Sequence, residues 1–238
     1  MTRQFSFISI HPKIIEEYRA FGVFKAAEKA NLAKIGVTDL RDFAADKHRS
    51  IDASPYGGGD GMVMRVDCLA KAVKDVRESL QDGDKAKVVF TSPSGKQWTQ
   101  DDAKMFSEME QPLIFICGRF AGVDQRFVER YVDYEYSVGD VVLAGGELPT
   151  LMIAESILRL VPGVLGHQNS AEEDSFGDGV DGLLEYPSYT RPPEWEGAKV
   201  PEVLLSGDHE AIQKWRKEQA LRRTEKLRPD ILARKPQN

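Results

Sequence analysis

The length of the chain, 238 residues, allows one large domain or two unequal domains. The composition is 41% hydrophobic without any apolar run near the roughly 20 residues of a membrane span, and the N-terminus has no signal pattern, so we expect a soluble, cytoplasmic protein without membrane association. A net charge of −6 argues against a chain that simply coats nucleic acid.

Apolar patterns predict alternating strands and helices along the first 161 residues. Apolar periods of two indicate strands, and periods near 3.6 indicate helices. In chain order the prediction gives a strand at 4–10, helices at 14–21, 23–32 and 66–80, a strand at 87–90, a helix at 99–109, a strand at 112–117, a helix at 124–131, strands at 134–138 and 141–143, and a helix at 147–161. The alternation predicts an α/β fold with a mainly parallel sheet, helices on both faces, and the apolar strand 112–117 at its centre.

Three glycine-bearing loops, residues 91–95, 118–122 and 137–146, each follow a predicted strand. Loops at the carboxyl ends of parallel strands collect at one edge of a sheet, so we expect these three to converge on a ligand site. Glycine lets the backbone approach a ligand closely, and main-chain groups could hold a small molecule there. The alternative is a junction of strand and helix that needs glycine only to turn.

Two other glycine-rich stretches resemble nucleotide-binding loops without their context. Residues 55–62 read PYGGGDGM and lack the Gly-Lys-Ser/Thr ending of a phosphate-binding loop, so we expect a flexible loop over a pocket. Residues 177–182 match G-x-G-x-x-G, but no predicted strand precedes them and prolines follow soon after, which argues against a dinucleotide site. They lie in an acidic stretch without apolar period, 162–193, which favours a mobile linker.

The end of the chain is its basic part. Residues 210–238 carry nine Lys or Arg against four acidic residues. A helix is predicted over 211–223, capped by the segment that ends at Asp208. Its cations could contact phosphates, or they could form a solvated face while Trp215 and Leu221 pack inward.

The cysteines and histidines do not suggest a metal or disulfide framework. Cys68 and Cys117 both have apolar neighbours and are predicted to be small core residues. The four histidines are far apart and have no ligand spacing, so no structural zinc site is expected.

Seven stretches, in order over nearly the whole chain, resemble one protein family, the TrmD family of bacterial tRNA (guanine-N1)-methyltransferases, which belong to the knotted SPOUT methyltransferases. The matching stretches are PYGGGDGM at 55–62, ICGRF at 116–120, SVGDVVLAGGELP at 137–149, PGVLG at 162–166, EEDSF at 172–176, YTRPP at 189–193 and LLSGDH at 204–209. Each would be weak evidence alone, but all seven in sequence make a chance match improbable.

The resemblance implies a fold, a donor and partners. The fold would be a SPOUT-type α/β domain with a deep trefoil knot, at residues 1–165, followed by a flexible linker at 166–190 and a small, mainly helical tRNA-binding domain at 191–238. Topology rules argue against knots, so the knot rests on the resemblance alone. The family further implies S-adenosylmethionine as methyl donor, tRNA as partner and a homodimer.

The resemblance also assigns site residues, position by position. The donor contacts would be Phe90, Ser92, Pro93, Gly95, Gly118, Arg119, Gly122, Ser137, Val138, Gly139, Val141, Leu143, Gly145, Gly146 and Pro149. The catalytic residues would be Asp174, Arg159 and Ser175, and the RNA contacts Arg216, Lys217, Arg222 and Arg223.

Methyl transfer to guanine N1 explains the catalytic assignments. N1 carries a proton at neutral pH, so a base must remove it, and the resemblance gives this role to Asp174. Arg159 would stabilise the negative charge that moves onto O6, and Ser175 would help to place the base. The structural alternatives are that Asp174 only caps a short helix and that Arg159 is a solvated helix residue.

Two positions depart from the family pattern. Family members have a glutamate after the aromatic residue of the GR(Y/F)EG motif, near the anticodon base or a magnesium site, and this chain has Ala121. A tyrosine is common at Val141. We expect methyl transfer to the guanosine at tRNA position 37, 3′ of the anticodon; the alternatives are a tRNA-binding protein whose catalysis is impaired by Ala121, and a knotted methyltransferase that acts on another RNA. The Mg²⁺ requirement is left open by Ala121.

Overall fold

A computed structural model describes residues 2–166 and 170–234 of the chain. The chain divides into two compact units, Met1–Gly166 and His167–Asn238. None of the described helices is both long enough and apolar enough to cross a membrane.

The first unit alternates strands and helices. In chain order its elements are β1 (Arg3–Ser9), α1 (Pro12–Arg19), α2 (Gly22–Lys29), β2 (Ala33–Asp39), β3 (Asp52–Ala53), β4 (Val63–Met64), α3 (Val66–Ser79), β5 (Lys87–Gln97), α4 (Gln100–Glu108), β6 (Leu113–Ile116), α5 (Gln125–Tyr131), β7 (Tyr134–Ser137) and α6 (Glu147–Leu160). Short 3-10 helices lie at Leu40–Phe43 and Gly83–Lys85.

Five strands form one parallel sheet in the order β2-β1-β6-β5-β7. Strand β6 lies in the middle and its four residues are completely buried, which confirms the predicted central strand. One core cluster packs α1, α2, α4 and α6 against one face of the sheet, and a second packs α3 and α5 against the other. The predicted parallel sheet with helices on both faces is therefore confirmed.

Several strand assignments differ from the sequence prediction: β5 extends beyond residue 90, the two-residue strands were not predicted, and two larger differences concern residues 141–143 and β2. Residues 141–143 form no strand: Val141, Val142 and Leu143 are 56%, 88% and 45% exposed, and Val141 N donates to Gly139 O in a tight turn. An apolar run of three residues predicts a buried strand, but these side chains lie in a surface loop that lines the cavity. Strand β2 was not predicted, because an edge strand buries only alternate residues, here Ala33 and Ile35.

The second unit is mainly helical. Its elements are α7 (Ser170–Glu173), a 3-10 helix (Asp178–Val180), β8 (Glu194–Trp195), β9 (Ala198–Lys199), α8 (Glu202–Leu205), α9 (His209–Leu227) and α10 (Pro229–Arg234). Asp208 caps α9 by accepting bonds from Glu210 N and Ala211 N at 3.1 Å, as predicted. Leu221 is 42% exposed, so the structure does not support the alternative in which it packs inward.

The acidic stretch in the second unit contains two short helical elements, α7 and the 3-10 helix at Asp178–Val180. Residues 177–182 follow α7 and contain the 3-10 helix, so the strand–loop–helix context of a dinucleotide site is absent from this described stretch, as predicted. A Cβ on Gly179 would lie 2.8 Å from Glu172 O, so close packing against α7 explains the glycine at this position. Val180 and Leu183 are buried. The flexibility that we expect of this stretch stays a prediction.

A buried carboxylate fixes the end of β5 to α4. Asp102, 4% exposed, accepts bonds from Lys96 Nζ at 2.6 Å, Thr99 Oγ1 at 2.6 Å and Tyr136 Oη at 3.0 Å. Burial alone would raise the pKa of Asp102, but these hydrogen bonds outweigh it and hold the pKa below its usual value. Burial and the bond to the carboxylate raise the pKa of Tyr136.

The substitution Asp102→Asn should lower the free energy of unfolding by about 1–3 kcal/mol at pH 7, because it removes charge-assisted hydrogen bonds to a buried carboxylate. A lowered native pKa gives stability that is present above the unfolded pKa and is lost as the pH falls through the native one. The difference between parent and variant in urea unfolding should therefore shrink below about pH 4. The exposed neighbour control, Asp101→Asn, should change stability by less than about 1 kcal/mol. A difference that persists unchanged at pH 2 would contradict this account.

Candidate functional site

The three glycine-bearing loops line one cavity of about 330 Å³ at the carboxyl edge of the sheet. Every residue assigned above to the methyl donor lines it except Gly95. Sequence reasoning missed six further lining residues, which are Thr91, Phe120, Ala121, Tyr136, Val142 and Ala144. Most of these lie next to assigned residues in the chain, so the loops themselves were the signal that could have found them. The structure thus brings the three loops together as predicted.

The first loop is an irregularity inside β5. Thr91 and Lys96 both pair with Tyr136, so the residues between them leave the ladder and bend toward the cavity. Ser92 Oγ donates to Glu135 Oε1 at 2.5 Å and accepts from Ser94 N at 3.0 Å, which holds the bend. A Cβ on Gly95 would lie 2.5 Å from the Tyr136 backbone, so this glycine lets the strand return to its neighbour.

The second and third loops are joined through their backbones. Gly146 N donates to Gly118 O at 2.8 Å, and Arg119 and Gly145 form an isolated antiparallel bridge. A Cβ on Gly146 would lie 2.7 Å from Gly118 N, and one on Gly145 would lie 2.1 Å from Arg119 Nε. The glycines of the third loop are therefore needed so that the two loops can touch.

A buried ion pair supports this junction. Arg119 Nε and Nη2 both lie 3.0 Å from Glu147 Oε2, and Ser9 Oγ donates to Glu147 Oε1 at 2.7 Å. Arg119 Nη1 also donates to Ala144 O at 3.2 Å. Glu147 is 1% exposed and the Arg119 side chain 19%, so the carboxylate is shielded from water and the guanidinium largely so. Arg119 thus ties the second loop to the first turn of α6 and to the third loop.

The cavity wall offers backbone and apolar surface rather than reactive side chains. Thr91 Oγ1 is buried without a hydrogen-bond partner among the described residues, and Thr91 lines the cavity. Nearby, burial raises the pKa of the Cys117 thiol to about 12, so this cysteine is no nucleophile at neutral pH. Such a wall can hold and orient a small molecule, but it supplies no covalent chemistry.

The glycine-rich stretch 55–62 borders the cavity through the second loop. Ala121 N donates to Met62 O at 2.8 Å, and a Cβ on Gly61 would lie 3.2 Å from Ala121 Cβ. Gly57, Gly58, Gly59 and Gly61 all have positive φ, a conformation that other residues rarely adopt. Residues 55–62 contact the second loop but do not line the cavity, so the expected position over a pocket and the flexibility of this loop both stay predictions.

Comparison with known proteins identifies the family. A family model described as tRNA (Guanine-1)-methyltransferase TrmD matches residues 3–234. The chain belongs to the TrmD family. It is similar to proteins named tRNA (guanine-N(1)-)-methyltransferase from Anaeromyxobacter sp. strain K (48% identity; 95% of this chain, 90% of the relative), Pseudomonas paraeruginosa (46%; 94% and 87%) and Pseudoalteromonas atlantica (45%; 97% and 84%).

The catalytic residues assigned from the TrmD family lie in both units. Arg159 is exposed in the last turn of α6 in the first unit. Asp174 directly follows α7 in the second unit, and Asp174 O accepts a bond from Gly177 N at 2.9 Å. Ser175 Oγ accepts from Glu185 N at 3.1 Å, which suits a residue that shapes the loop around Asp174.

The four RNA-contact residues do not share one face of α9. At 3.6 residues per turn, Arg222 lies about 120° around the helix from Arg216. Lys217, Arg222 and Arg223 are exposed. Arg216 is half-buried, and its guanidinium lies 4.6 Å from the centre of the Tyr186 ring. Its Nε is buried without a partner among the described residues.

No cluster of three or more His, Cys, Asp or Glu side chains within 2–166 and 170–234 has the geometry of a metal site. Ala121, where the resemblance implies a glutamate, is exposed and lines the cavity.

If the cavity binds S-adenosylmethionine, the donor that the resemblance implies, the substitution Gly146→Ala should weaken that binding by at least about tenfold, because its Cβ would push the third loop away from Gly118 N. The φ of Gly146 is −82°, so the backbone conformation itself would accept alanine and only space opposes it. Titration calorimetry measures the affinity. The matched control is Gly166→Ala, where a Cβ would meet no atom within 4 Å. Equal donor affinity in parent and Gly146→Ala would show that the loop junction does not shape the donor site.

Proposed function

We propose that this protein transfers a methyl group from S-adenosylmethionine to N1 of the guanosine at position 37 of tRNA, 3′ of the anticodon. The observation that carries the proposal is the single cavity formed by the three loops whose motifs match the TrmD family. Relatives that are 45–48% identical are named for tRNA and for guanine N1. The donor and position 37 come from the family resemblance.

The cavity suits the proposed donor. S-adenosylmethionine supplies a methyl group on a positively charged sulfur, which is already activated for transfer. The protein then has to bind and orient the donor, and close backbone groups at Gly118, Gly145 and Gly146 can do so without bulky side chains. The unpartnered Thr91 Oγ1 offers one further polar contact on this wall.

The acceptor has to lose a proton before or during transfer. In the proposed reaction Asp174 takes the proton from guanine N1, the N1 lone pair forms the new bond to the methyl carbon, and the bond from carbon to sulfur breaks. Negative charge that moves onto O6 is stabilised by Arg159. Ser175 keeps the loop that carries Asp174 in shape through its bond to Glu185 N.

We infer a homodimer from an exposed apolar stripe on the first unit. Leu148 and Met152 of α6 are 61% and 45% exposed and lie one turn apart, and Tyr18 of α1 donates a hydrogen bond to Glu155 one further turn along α6. Phe21, 68% exposed, follows α1. Large exposed apolar side chains on neighbouring helices are typical of a contact surface between subunits.

The deep knot of the first domain is proposed from the family alone.

The remaining assignments complete the proposal. Residues 1–165 would bind the donor, and 166–190 would form a linker that orders when tRNA binds. Residues 191–238 would hold tRNA through Lys217, Arg222 and Arg223. Arg216 would contact both the RNA and the Tyr186 ring. Phosphate contacts of this kind make affinity depend on salt. The cytoplasm, where tRNA is modified, is the proposed location.

The decisive experiment incubates purified full-length protein with S-adenosylmethionine and a tRNA that carries guanosine at position 37. Primer extension should stop at this nucleotide, and mass spectrometry should give 1-methylguanosine. Asp174→Asn should slow single-turnover transfer by about 10²–10⁴-fold, the usual contribution of a positioned base, with little change in donor affinity. Its matched control, Asp178→Asn, changes an acid in the same loop and should keep the parent rate.

Each other outcome points elsewhere. Donor and tRNA binding without transfer would favour a binding protein with impaired catalysis. Methylation at a different nucleotide would favour another RNA substrate. A parent-like rate for Asp174→Asn would remove Asp174 from the mechanism.

The substitution Ala121→Glu tests the effect of having alanine in place of the glutamate that the family resemblance implies. Donor affinity should stay within about twofold of the parent, because the contact between the second loop and Met62 runs through Ala121 N. The single-turnover rate should become more dependent on Mg²⁺, since a carboxylate at this rim attracts a hard cation. Rates with and without Mg²⁺ give the result, and identical Mg²⁺ profiles for parent and variant would contradict it.

A further inference from the structure

The loop of the second unit that carries Asp174 is fastened to α9 by one buried hydroxyl. Leu184 N donates to Thr224 Oγ1 at 3.0 Å, and Thr224 Oγ1 donates its own proton to Ala220 O at 2.8 Å. Thr224 is completely buried. With the proton committed to its own helix, the oxygen presents a lone pair to the loop in a fixed direction.

The loop itself is closed, so its attachment point controls its other residues. Phe176 N donates to Leu183 O at 2.7 Å, and Ser175 Oγ accepts from Glu185 N at 3.1 Å. These two bonds join the residues that follow Asp174 to the residues on either side of Leu184. Displacement of Leu184 from α9 therefore displaces the backbone at Asp174 as well.

The other described contacts between this loop and α9 are less directional than a hydrogen bond. The Arg216 guanidinium lies 4.6 Å from the centre of the Tyr186 ring, where it is attracted to the face of the ring. A cavity of about 60 Å³ lined by Val180, Leu183 and Ala220 remains between loop and helix. Because the apolar packing here is incomplete, the buried hydrogen bond to Thr224 matters more to the position of the loop.

We propose that Thr224 is a positioning residue for methyl transfer, which holds the loop of Asp174 on α9 so that the carboxylate is presented in one place. The inference rests on the proposed function, in which Asp174 is the base. Removal of the acceptor leaves Leu184 N unpaired and shifts the loop toward undocked states. Only the docked fraction then reacts productively, so the rate falls by that fraction.

The test compares Thr224→Val with Thr224→Ser in the full-length protein. Valine keeps the shape and removes the hydroxyl, while serine keeps the hydroxyl. At saturating S-adenosylmethionine and tRNA, Thr224→Val should lower the single-turnover rate by about tenfold, and Thr224→Ser should stay within about twofold of the parent. Donor affinity should be unchanged in both variants. Ser107→Ala is the matched control, because its hydroxyl donates to Lys104 O in its own helix, as the Thr224 hydroxyl does to Ala220 O.

Two further readouts separate positioning from general damage. Hydrogen exchange should quicken at the amides of 176–185 in Thr224→Val, while the amides of α9 stay protected. In a plot of rate against pH, the midpoint should stay the same and the plateau rate should fall. Fewer molecules then hold the Asp174 carboxylate in place, but the environment of the carboxylate in the docked molecules is unchanged. Rescue of rate and protection together by serine is the expected result.

The outcomes distinguish this inference from the proposed function. If Asp174→Asn is slow and Thr224→Val is as fast as the parent, the inference is overturned and the function stands. If Asp174→Asn is as fast as the parent, the assigned base is wrong, and hydrogen exchange still reports whether Thr224 docks the loop. Loss of donor affinity in Thr224→Val would indicate general damage and would also overturn the inference. If Thr224→Val does not fold, Tyr186→Leu replaces it in the test. Tyr186→Leu should lower the rate by less than tenfold and should quicken hydrogen exchange at the same amides, 176–185. A parent-like rate and exchange pattern in Tyr186→Leu would contradict the inference.

Discussion

The carboxylate of Glu147 is the contact on which the candidate site of the first unit depends. It accepts from Ser9 at the end of β1 and from Arg119 after β6, and it lies in the first turn of α6. Three segments that are far apart in sequence therefore meet at one buried charge. Removing one partner of such a buried pair costs about 3–5 kcal/mol, because the other charge stays in a poorly solvated place. This cost keeps the second and third loops in one arrangement.

The glycines of the third loop make that arrangement possible. Gly145 passes against the Arg119 guanidinium, and Gly146 passes against the backbone of Gly118, at distances that a side chain would block. The ion pair between Arg119 and Glu147 holds the second and third loops together, and the glycines leave room for their backbones to be in contact. What remains beside them is a cavity whose walls are backbone and apolar side chains, which suits a small molecule that needs orientation more than chemical activation.

In the second unit, an acidic loop is held in place by a few specific contacts. Its loop at 174–185 closes on itself through backbone bonds and is fixed to α9 through Thr224. Asp178 and Asp181 lie in the same loop, so burying its backbone deeply would desolvate charge. One shielded hydroxyl and a cation over an aromatic ring hold such a loop on α9 while Asp178 and Asp181 stay exposed.

The sequence by itself determined the strand and helix alternation, the central position of β6, the convergence of the three loops and the family. These follow from apolar periodicity and local motifs, which are properties of neighbouring residues. Only the tertiary structure decided that residues 141–143 are exposed, that β2 forms an edge strand, that Arg119 is bound to Glu147 and that Thr224 holds the loop of Asp174. Each of these depends on which distant segment lies opposite a residue. A short apolar run or a single charged residue gives no information about that, because burial and pairing are decided by the packing of the whole sheet and its helices.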